Sequence, residues 1–124
     1  MPGTKDWLKK ASSDLKASKK LSDDHETFDC SVFHSHQCAE KALKAFIFSM
    51  QQAIPKSHDL KLLIGHCLER NHEFMLITEE SKALNFYGQE SRYPNDSFFV
   101  DQQRTNEAID MAEKVLEFIK KTIK

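Results

Sequence analysis

Apolar residues recur along this chain at three- and four-residue intervals, a spacing that places them on one side of an α-helix. In the first such stretch Trp7, Leu8 and Leu15 share one side, while Lys9 and Asp14 face outward. No segment shows the strict apolar and polar alternation of a half-buried β-strand. The pattern predicts an all-α protein with five helices, at about residues 5–21, 27–52, 57–70, 73–87 and 101–124.

The second predicted helix carries a polar row beside its long apolar stripe. The stripe, which includes Phe28, Val32 and Phe46, continues along most of the helix and faces the predicted core. A polar row flanked by apolar side chains is unusual for a solvated face, so it predicts a second contact surface, either another subunit or a ligand cleft. This row lies about a third of a turn from the stripe, has His36 between it and the stripe, and consists of Phe33, Gln37, Glu40, Lys44 and Ile47.

Capping and breaker residues predict where the later helices begin and end. Ser57 is expected to cap the third helix, and Gly88 is expected to stop the fourth. Residues 88–100 form the only long irregular segment that the sequence predicts, and this segment contains Arg92 and Tyr93. Because long loops in compact helical domains are often functional, both side chains are candidates for binding a ligand.

Length limits the protein to one domain. A length of 124 residues is about that of one domain, so residues 1–124 are interpreted as a single domain. Three glycines and three prolines are too few for a disordered or loop-rich chain and favour long helices. Eighteen Lys and Arg against nineteen Asp and Glu leave a net charge of −1, so a site for a polyanion has to be a local concentration of cations. No stretch is apolar enough to span a bilayer, and the three cysteines form no disulfide pattern, so we expect a cytoplasmic protein without membrane contact.

Metal and cofactor chemistry finds little support in the sequence. His34 and His36 are two positions apart on a helix and point in nearly opposite directions, so they cannot share an ion. Cys-x-x-Cys and His-Glu-x-x-His motifs are absent, and three glycines cannot build a phosphate-binding loop, so we expect neither a metal nor a cofactor. The remaining candidates are polar residues from separate elements, namely Gln37, Glu40, Lys41, Lys44, His58, Asp59, Asn85, Arg92 and Tyr93.

Spacing alone also allows an ordinary structural explanation of these residues. Glu40 and Lys44 are four positions apart and fit an exposed ion pair on one helix face. His58 and Asp59 fit a helix cap, and Arg92 fits a solvated loop position. The residue pattern by itself therefore leaves binding and structural roles open.

Three blocks of the sequence resemble signature segments of HEPN domains (higher eukaryotes and prokaryotes nucleotide-binding). Residues 37–45, QCAEKALKA, are similar to the family's Gln-x-Ala-Glu-Lys-Ala-Leu-Lys-Ala signature. Residues 57–60, SHDL, resemble its Thr-His-Asp-Leu block, and residues 92–94, RYP, resemble its Arg-Tyr-Pro block. The blocks occur in the family's order, and the resemblance extends over nearly the whole chain.

This resemblance implies an all-α, four-helix-bundle-like, up-and-down bundle of about five helices that is usually homodimeric and associated with binding nucleotides or RNA. HEPN domains are often encoded beside minimal nucleotidyltransferases in bacterial toxin–antitoxin pairs, which makes such a protein an expected partner. The residues that fit nucleotide binding in this chain are Arg92, Tyr93, Lys41, Lys44, Gln37 and Glu40.

Some HEPN domains are metal-independent ribonucleases in which four to six residues separate an arginine from a following histidine. Arg92 matches that arginine, but no histidine occurs after His72, so the sequence favours a protein without catalysis. His36 or His58 would have to replace the missing base. Three functions therefore remain open: a homodimeric module for nucleotide or RNA phosphates, a ribonuclease toxin, and a pure protein-interaction module.

Overall fold

The computed structural model describes residues 3–94 and 98–123, and within them the regular structure is entirely helical. The predicted all-α bundle of five helices is confirmed, with short 3₁₀ segments at Leu21–Asp23, His25–Thr27 and His72–Ile77. The helices are α1 (Thr4–Lys20), α2 (Phe28–Ser49), α3 (Leu60–Arg70), α4 (Thr78–Glu90) and α5 (Gln102–Thr122). Among the described helices, none combines the length and the apolar character that a bilayer crossing requires.

Helix α2 lies at the centre of the bundle and packs against each of the other four helices. Fourteen of its 22 residues are buried, among them the charged residues Glu40 and Lys44. Next to α2, the rings of Phe46 and Phe74 lie 4.5 Å apart, and the ring of Phe118 lies 4.9 Å from that of Phe74. Because neighbours surround α2, most of its polar row has to find partners inside the protein rather than in water.

Capping explains where α3 begins. The Asp59 carboxylate accepts a hydrogen bond of 2.9 Å from the backbone N–H of Lys61, so Asp59 is the N-cap rather than Ser57, which was predicted. Ser57 stabilises the turn before the helix, because its hydroxyl oxygen accepts a hydrogen bond of 3.0 Å from the backbone N–H of Asp59. The connection between α2 and α3 is thereby held in the conformation that places His58 beside α2.

Helix α2 ends in a Schellman motif that contains no glycine. Gln51 has a φ of 60°, in the left-handed region that usually selects glycine. Its N–H bonds the carbonyl of Phe48 at 2.9 Å, and the N–H of Gln52 reaches the carbonyl of Ile47 at 3.4 Å. Two carbonyls at the end of α2 are satisfied at the cost of a strained glutamine.

Two further sequence-based expectations about individual residues were wrong. Gly88 does not stop a helix, because α4 continues through it to Glu90 and buries it. Asp14, which was expected to face outward, is only 8% exposed because α1 packs that side against α2. Both residues prove to matter for the polar contacts of α2.

Candidate functional site

A buried carboxylate organises the polar residues at the middle of α2. Glu40 is 3% exposed, and its side chain accepts hydrogen bonds of 3.0 Å from the ammonium group of Lys44 and 3.0 Å from Nδ1 of His58. Lys44 is itself buried. The predicted pair of Glu40 and Lys44 therefore exists, but it lies inside the protein, where loss of one partner leaves an uncompensated charge.

His58 joins this buried carboxylate to the surface. Its side chain is 68% exposed, whereas that of Glu40 is 4% exposed. Because an ionised carboxylate only accepts hydrogen bonds, Nδ1 of His58 carries the hydrogen, and in the neutral imidazole Nε2 keeps its lone pair. An exposed imidazole oriented in this way can accept a proton from a bound molecule.

Asn85 of α4 ties the start of α3 to α2. Its Oδ1 accepts the N–H of Leu60 at 2.9 Å, and its Nδ2 donates to the carboxylate of Asp59 at 3.2 Å. These two contacts fix the amide orientation, since each requires a different atom of the side chain. The contact of 3.4 Å between Oδ1 and Nε2 of His36 is consequently one in which the histidine donates.

His36 lies beneath these residues and is 2% exposed. Burial lowers the pKa of its imidazole below the ordinary value of 6.5, and the positive charges of Arg92 and His58 act in the same direction. The hydrogen bond to Asn85 and the charge of Glu40 oppose this shift without overcoming it. The neutral ring donates from Nε2, while Nδ1 is buried without a hydrogen-bond partner, 3.9 Å from the Glu40 carboxylate.

Gly88 lets the two helices approach closely at this ring. A Cβ atom added to Gly88 would lie 2.3 Å from Cδ2 of His36 and 2.6 Å from its Cγ. No side chain fits at that position, so the glycine is required by packing. The imidazole of His36 fills the space between α2 and the last turns of α4.

Arg92 and Tyr93 lie two and three residues beyond the end of α4 and are both exposed. The guanidinium carbon of Arg92 lies 5.6 Å from the centre of the Phe33 ring on α2, in a cation–π contact. These three residues and His34 line part of a groove of about 490 Å³. We call it the Arg92 groove. It combines a guanidinium group with two aromatic rings, and Asp29, Cys30 and Ser91 complete its lining.

The structure separates the lysines that the sequence grouped together. Lys41 points toward α1, where its ammonium group donates to the Asp14 carboxylate at 2.6 Å. Nδ1 of His34 contacts the same carboxylate at 2.9 Å. Lys44 instead bonds Glu40 within α2, and Gln37 is half-buried one helical turn beyond Phe33. The candidate residues thus form a buried network, the exposed Arg92 groove, and a separate contact with α1.

Sequence reasoning found most members of the network but missed Gly88 and Asp14. Asp14 directly precedes Leu15 and lies three residues after Ala11, so it borders the apolar stripe of α1, and that position was the available signal. Gly88 carried no comparable signal, because a glycine near a helix end fits a stop and a close packing contact equally well.

The described histidine, acidic and buried cysteine side chains limit the chemistry that the bundle interior can perform. Within residues 3–94 and 98–123, no three His, Cys, Asp or Glu side chains converge on a position for a metal ion. Burial raises the pKa of both Cys38 and Cys67 to about 12, so neither thiol is a nucleophile near neutral pH. Cys30, in contrast, is exposed and lines the Arg92 groove.

The fold and the site define a small all-α bundle with a buried polar network and an exposed arginine beside the last turn of α4. The profile of the HEPN domain matches residues 4–122, and the chain belongs to the HEPN family. It is similar to the crystal structure of ST0689, an archaeal HEPN homologue, at 24% identity and a TM-score of 0.81 over 100% of both chains. It is also similar to the crystal structure of TT1696 from Thermus thermophilus, at 25% identity and a TM-score of 0.85 over 98% of both chains. No curated protein gives a significant match.

Proposed function

We propose that this HEPN protein is a homodimeric module that binds the phosphates of a nucleotide or an RNA in the Arg92 groove. The exposed guanidinium of Arg92 over the Phe33 ring, next to exposed Tyr93, is the observation that carries the proposal. A guanidinium fork contacts two phosphate oxygens at once, and aromatic faces stack on bases. A cation on one aromatic ring, with a second aromatic side chain lining the same groove, therefore suits a ligand with both a phosphate and a base.

The buried network supports the groove from below in this proposal. Asn85 and the packing of His36 on Gly88 hold the last turns of α4, and Arg92 lies two residues beyond the end of that helix. Glu40 and Lys44 neutralise each other, so they position α2 rather than contact the ligand. Gln37 lies one turn beyond Phe33 and supplies an amide that can bond a base edge.

The homodimer and the nucleotidyltransferase partner are the parts of the proposal that rest on the family. In a C2 dimer each groove occurs twice, so two ligands bind, or one ligand contacts two symmetry-related arginines. Multi-angle light scattering tests the dimer through a mass twice the 14.4 kDa of one chain. A mass of one chain at micromolar concentration contradicts the dimer, and failure to copurify with a co-expressed minimal nucleotidyltransferase contradicts the partner.

Isothermal titration calorimetry with mononucleotides and short RNAs tests the groove. Arg92→Ala removes a charge-assisted hydrogen bond worth about 1.5–3 kcal/mol, which predicts binding weakened by roughly 10- to 100-fold. Arg70→Ala is the matched control, because Arg70 is exposed at the end of α3 and lines no groove with Arg92. Equal affinity of the Arg92→Ala protein and wild type would show that the groove is misassigned.

A metal-independent ribonuclease is the second candidate, and the contact between His58 and Glu40 favours it. Nε2 of His58 would take the proton of a 2′-hydroxyl as that oxygen attacks phosphorus, and the 5′-oxygen of the next nucleotide would leave with a proton from water. Arg92 would stabilise the charge on the phosphorane. His58→Gln should abolish cleavage of a fluorescent RNA in EDTA while leaving RNA affinity unchanged. Cleavage that survives this substitution contradicts the assignment, and an RNA left intact by wild type excludes the activity.

A further inference from the structure

A second groove lies between α1 and α2, and the proposed function does not use it. Its volume is about 630 Å³, larger than that of the Arg92 groove. Five lining residues come from α1 and one from α2: Asp6, Trp7, Lys9, Lys10, Ser13 and Lys41. We call it the Trp7 groove.

The Trp7 groove concentrates positive charge in a nearly neutral protein. Three of its lining residues are lysines, and its only lining acid is Asp6, whose carboxylate accepts the N–H of Gly3 at 2.8 Å. Lys9 and Lys10 are exposed and form no ion pair with any residue in the described ranges. With a net charge of −1 over the whole chain, this is the kind of local cationic cluster that an anionic ligand requires.

A buried carboxylate holds the third lysine in place. Asp14 is 8% exposed and accepts from the ammonium group of Lys41 at 2.6 Å, so the lysine is oriented before any ligand arrives. An ammonium group has three donors, and this contact occupies one of them. Half-buried Trp7 adds a flat aromatic wall beside these cations. One oriented lysine and two exposed lysines next to an indole fit a planar ring that carries a phosphate.

The carboxylate of Asp14 contacts one lining residue of each groove. The carboxylate that holds Lys41 also contacts Nδ1 of His34, and His34 lines the Arg92 groove. His34 and Lys41 are seven residues apart on α2, which is two helical turns or about 10 Å along the axis. A chain of a few nucleotides spans that distance, whereas a mononucleotide occupies one groove at a time.

We propose that the Trp7 groove is a second subsite for a base and its phosphate, and that the ligand of this protein is a single-stranded RNA occupying both grooves. The inference rests on the proposed function, because it assigns the Arg92 groove to the same strand. It makes the substrate class an oligonucleotide rather than a free nucleotide.

Trp7 is the only tryptophan in the chain, so its fluorescence reports on this groove directly. We would titrate the full-length protein with uridine monophosphate and with oligouridylates of two, four and eight nucleotides. The expected result is saturable quenching whose affinity rises at least 10-fold between the mononucleotide and the octamer. Lys10→Gln should weaken octamer binding severalfold and reduce the slope of log K against log salt by about 0.7.

Lys16→Gln is the matched control, because Lys16 is exposed on the same helix and does not line the groove. Arg92→Ala should remove the length dependence while leaving weak quenching by uridine monophosphate intact. Equal affinity for the monomer and the octamer would overturn the two-groove strand. Absence of quenching with any RNA would overturn the Trp7 subsite. If calorimetry in that case still detects RNA binding that depends on Arg92, the proposed function of the Arg92 groove is unaffected.

Discussion

The contact between Gly88 and His36 predicts that a single methyl group destabilises the bundle. In a Gly88→Ala protein the new Cβ would lie 2.3 Å from Cδ2, 2.6 Å from Cγ and 2.8 Å from Cβ of His36. Ordinary contacts are about 1 Å longer than the shortest of these, so either the ring or the helix has to move. Neither moves freely, because His36 is 2% exposed between α2 and α4 and its ring bonds Asn85.

The magnitude follows from three contributions. Overpacking a well-packed interior costs about 1–3 kcal/mol. Displacing the imidazole also weakens its hydrogen bond to Asn85, which is worth about 1 kcal/mol. Alanine regains about 1 kcal/mol over glycine in a helix interior. We therefore expect Gly88→Ala to reduce the free energy of unfolding by about 1–3 kcal/mol.

Gly65 supplies the matched control within the same protein. It lies in α3, and a Cβ added there meets nothing within 4 Å. Gly65→Ala is therefore expected to raise the free energy of unfolding by about 0.5–1 kcal/mol through helix propensity alone. The same glycine-to-alanine substitution should thus lower the free energy of unfolding at position 88 and raise it at position 65.

Urea denaturation followed by circular dichroism at 222 nm measures both variants, with an unchanged m-value required for the comparison. A double variant, Gly88→Ala with His36→Ala, removes the two shortest contacts, those with the ring, and leaves only the contact of 2.8 Å with Cβ of residue 36. The two substitutions should therefore couple by at least about 1 kcal/mol. If Gly88→Ala stabilises the protein as much as Gly65→Ala does, the close approach of α4 to His36 is wrong.

Three further predictions follow from other contacts. Gln51→Gly should raise the free energy of unfolding by about 0.5–1 kcal/mol. Glycine relieves the strain of the left-handed backbone, and this gain exceeds the free-energy cost of the added entropy of the unfolded chain. An unchanged urea midpoint would contradict this. Because the pKa of His36 is lowered in the folded protein, the unfolded chain binds more protons than the folded one below pH 6.5. The free energy of unfolding should therefore fall as the pH drops from 6.5 toward the pKa of the folded state. His36→Gln should flatten that part of the profile of urea midpoint against pH. Lys44→Met should cost up to about 3–5 kcal/mol, because it leaves the buried Glu40 carboxylate with the hydrogen bond from His58 and without the lysine charge. Adding Glu40→Gln should recover part of that loss in the same urea assay, whereas additive losses would argue against a buried pair.

Local sequence was sufficient to predict the helices and much of the polar group. Apolar spacing encodes helix positions directly, since it reports which residues share a side of the same helix. It placed Glu40 and Lys44 on one row, and the structure joins them at 3.0 Å. It did not reveal that this row is buried, because burial depends on what packs against α2 rather than on the spacing within it.

The chain's own pattern of apolar and polar positions thus determined an all-α domain of five helices and, through three short blocks, its resemblance to the HEPN family. Only the tertiary structure decided which neighbour each polar side chain meets. Lys41 and Lys44 differ by about 60° around α2, yet they bond different carboxylates, one on α1 and one on α2 itself. Gly88 is likewise explained by the His36 ring, 52 residues earlier in the chain. Periodicity fixes angles around one helix axis, whereas contacts between helices depend on how the axes pack, and that information is not local.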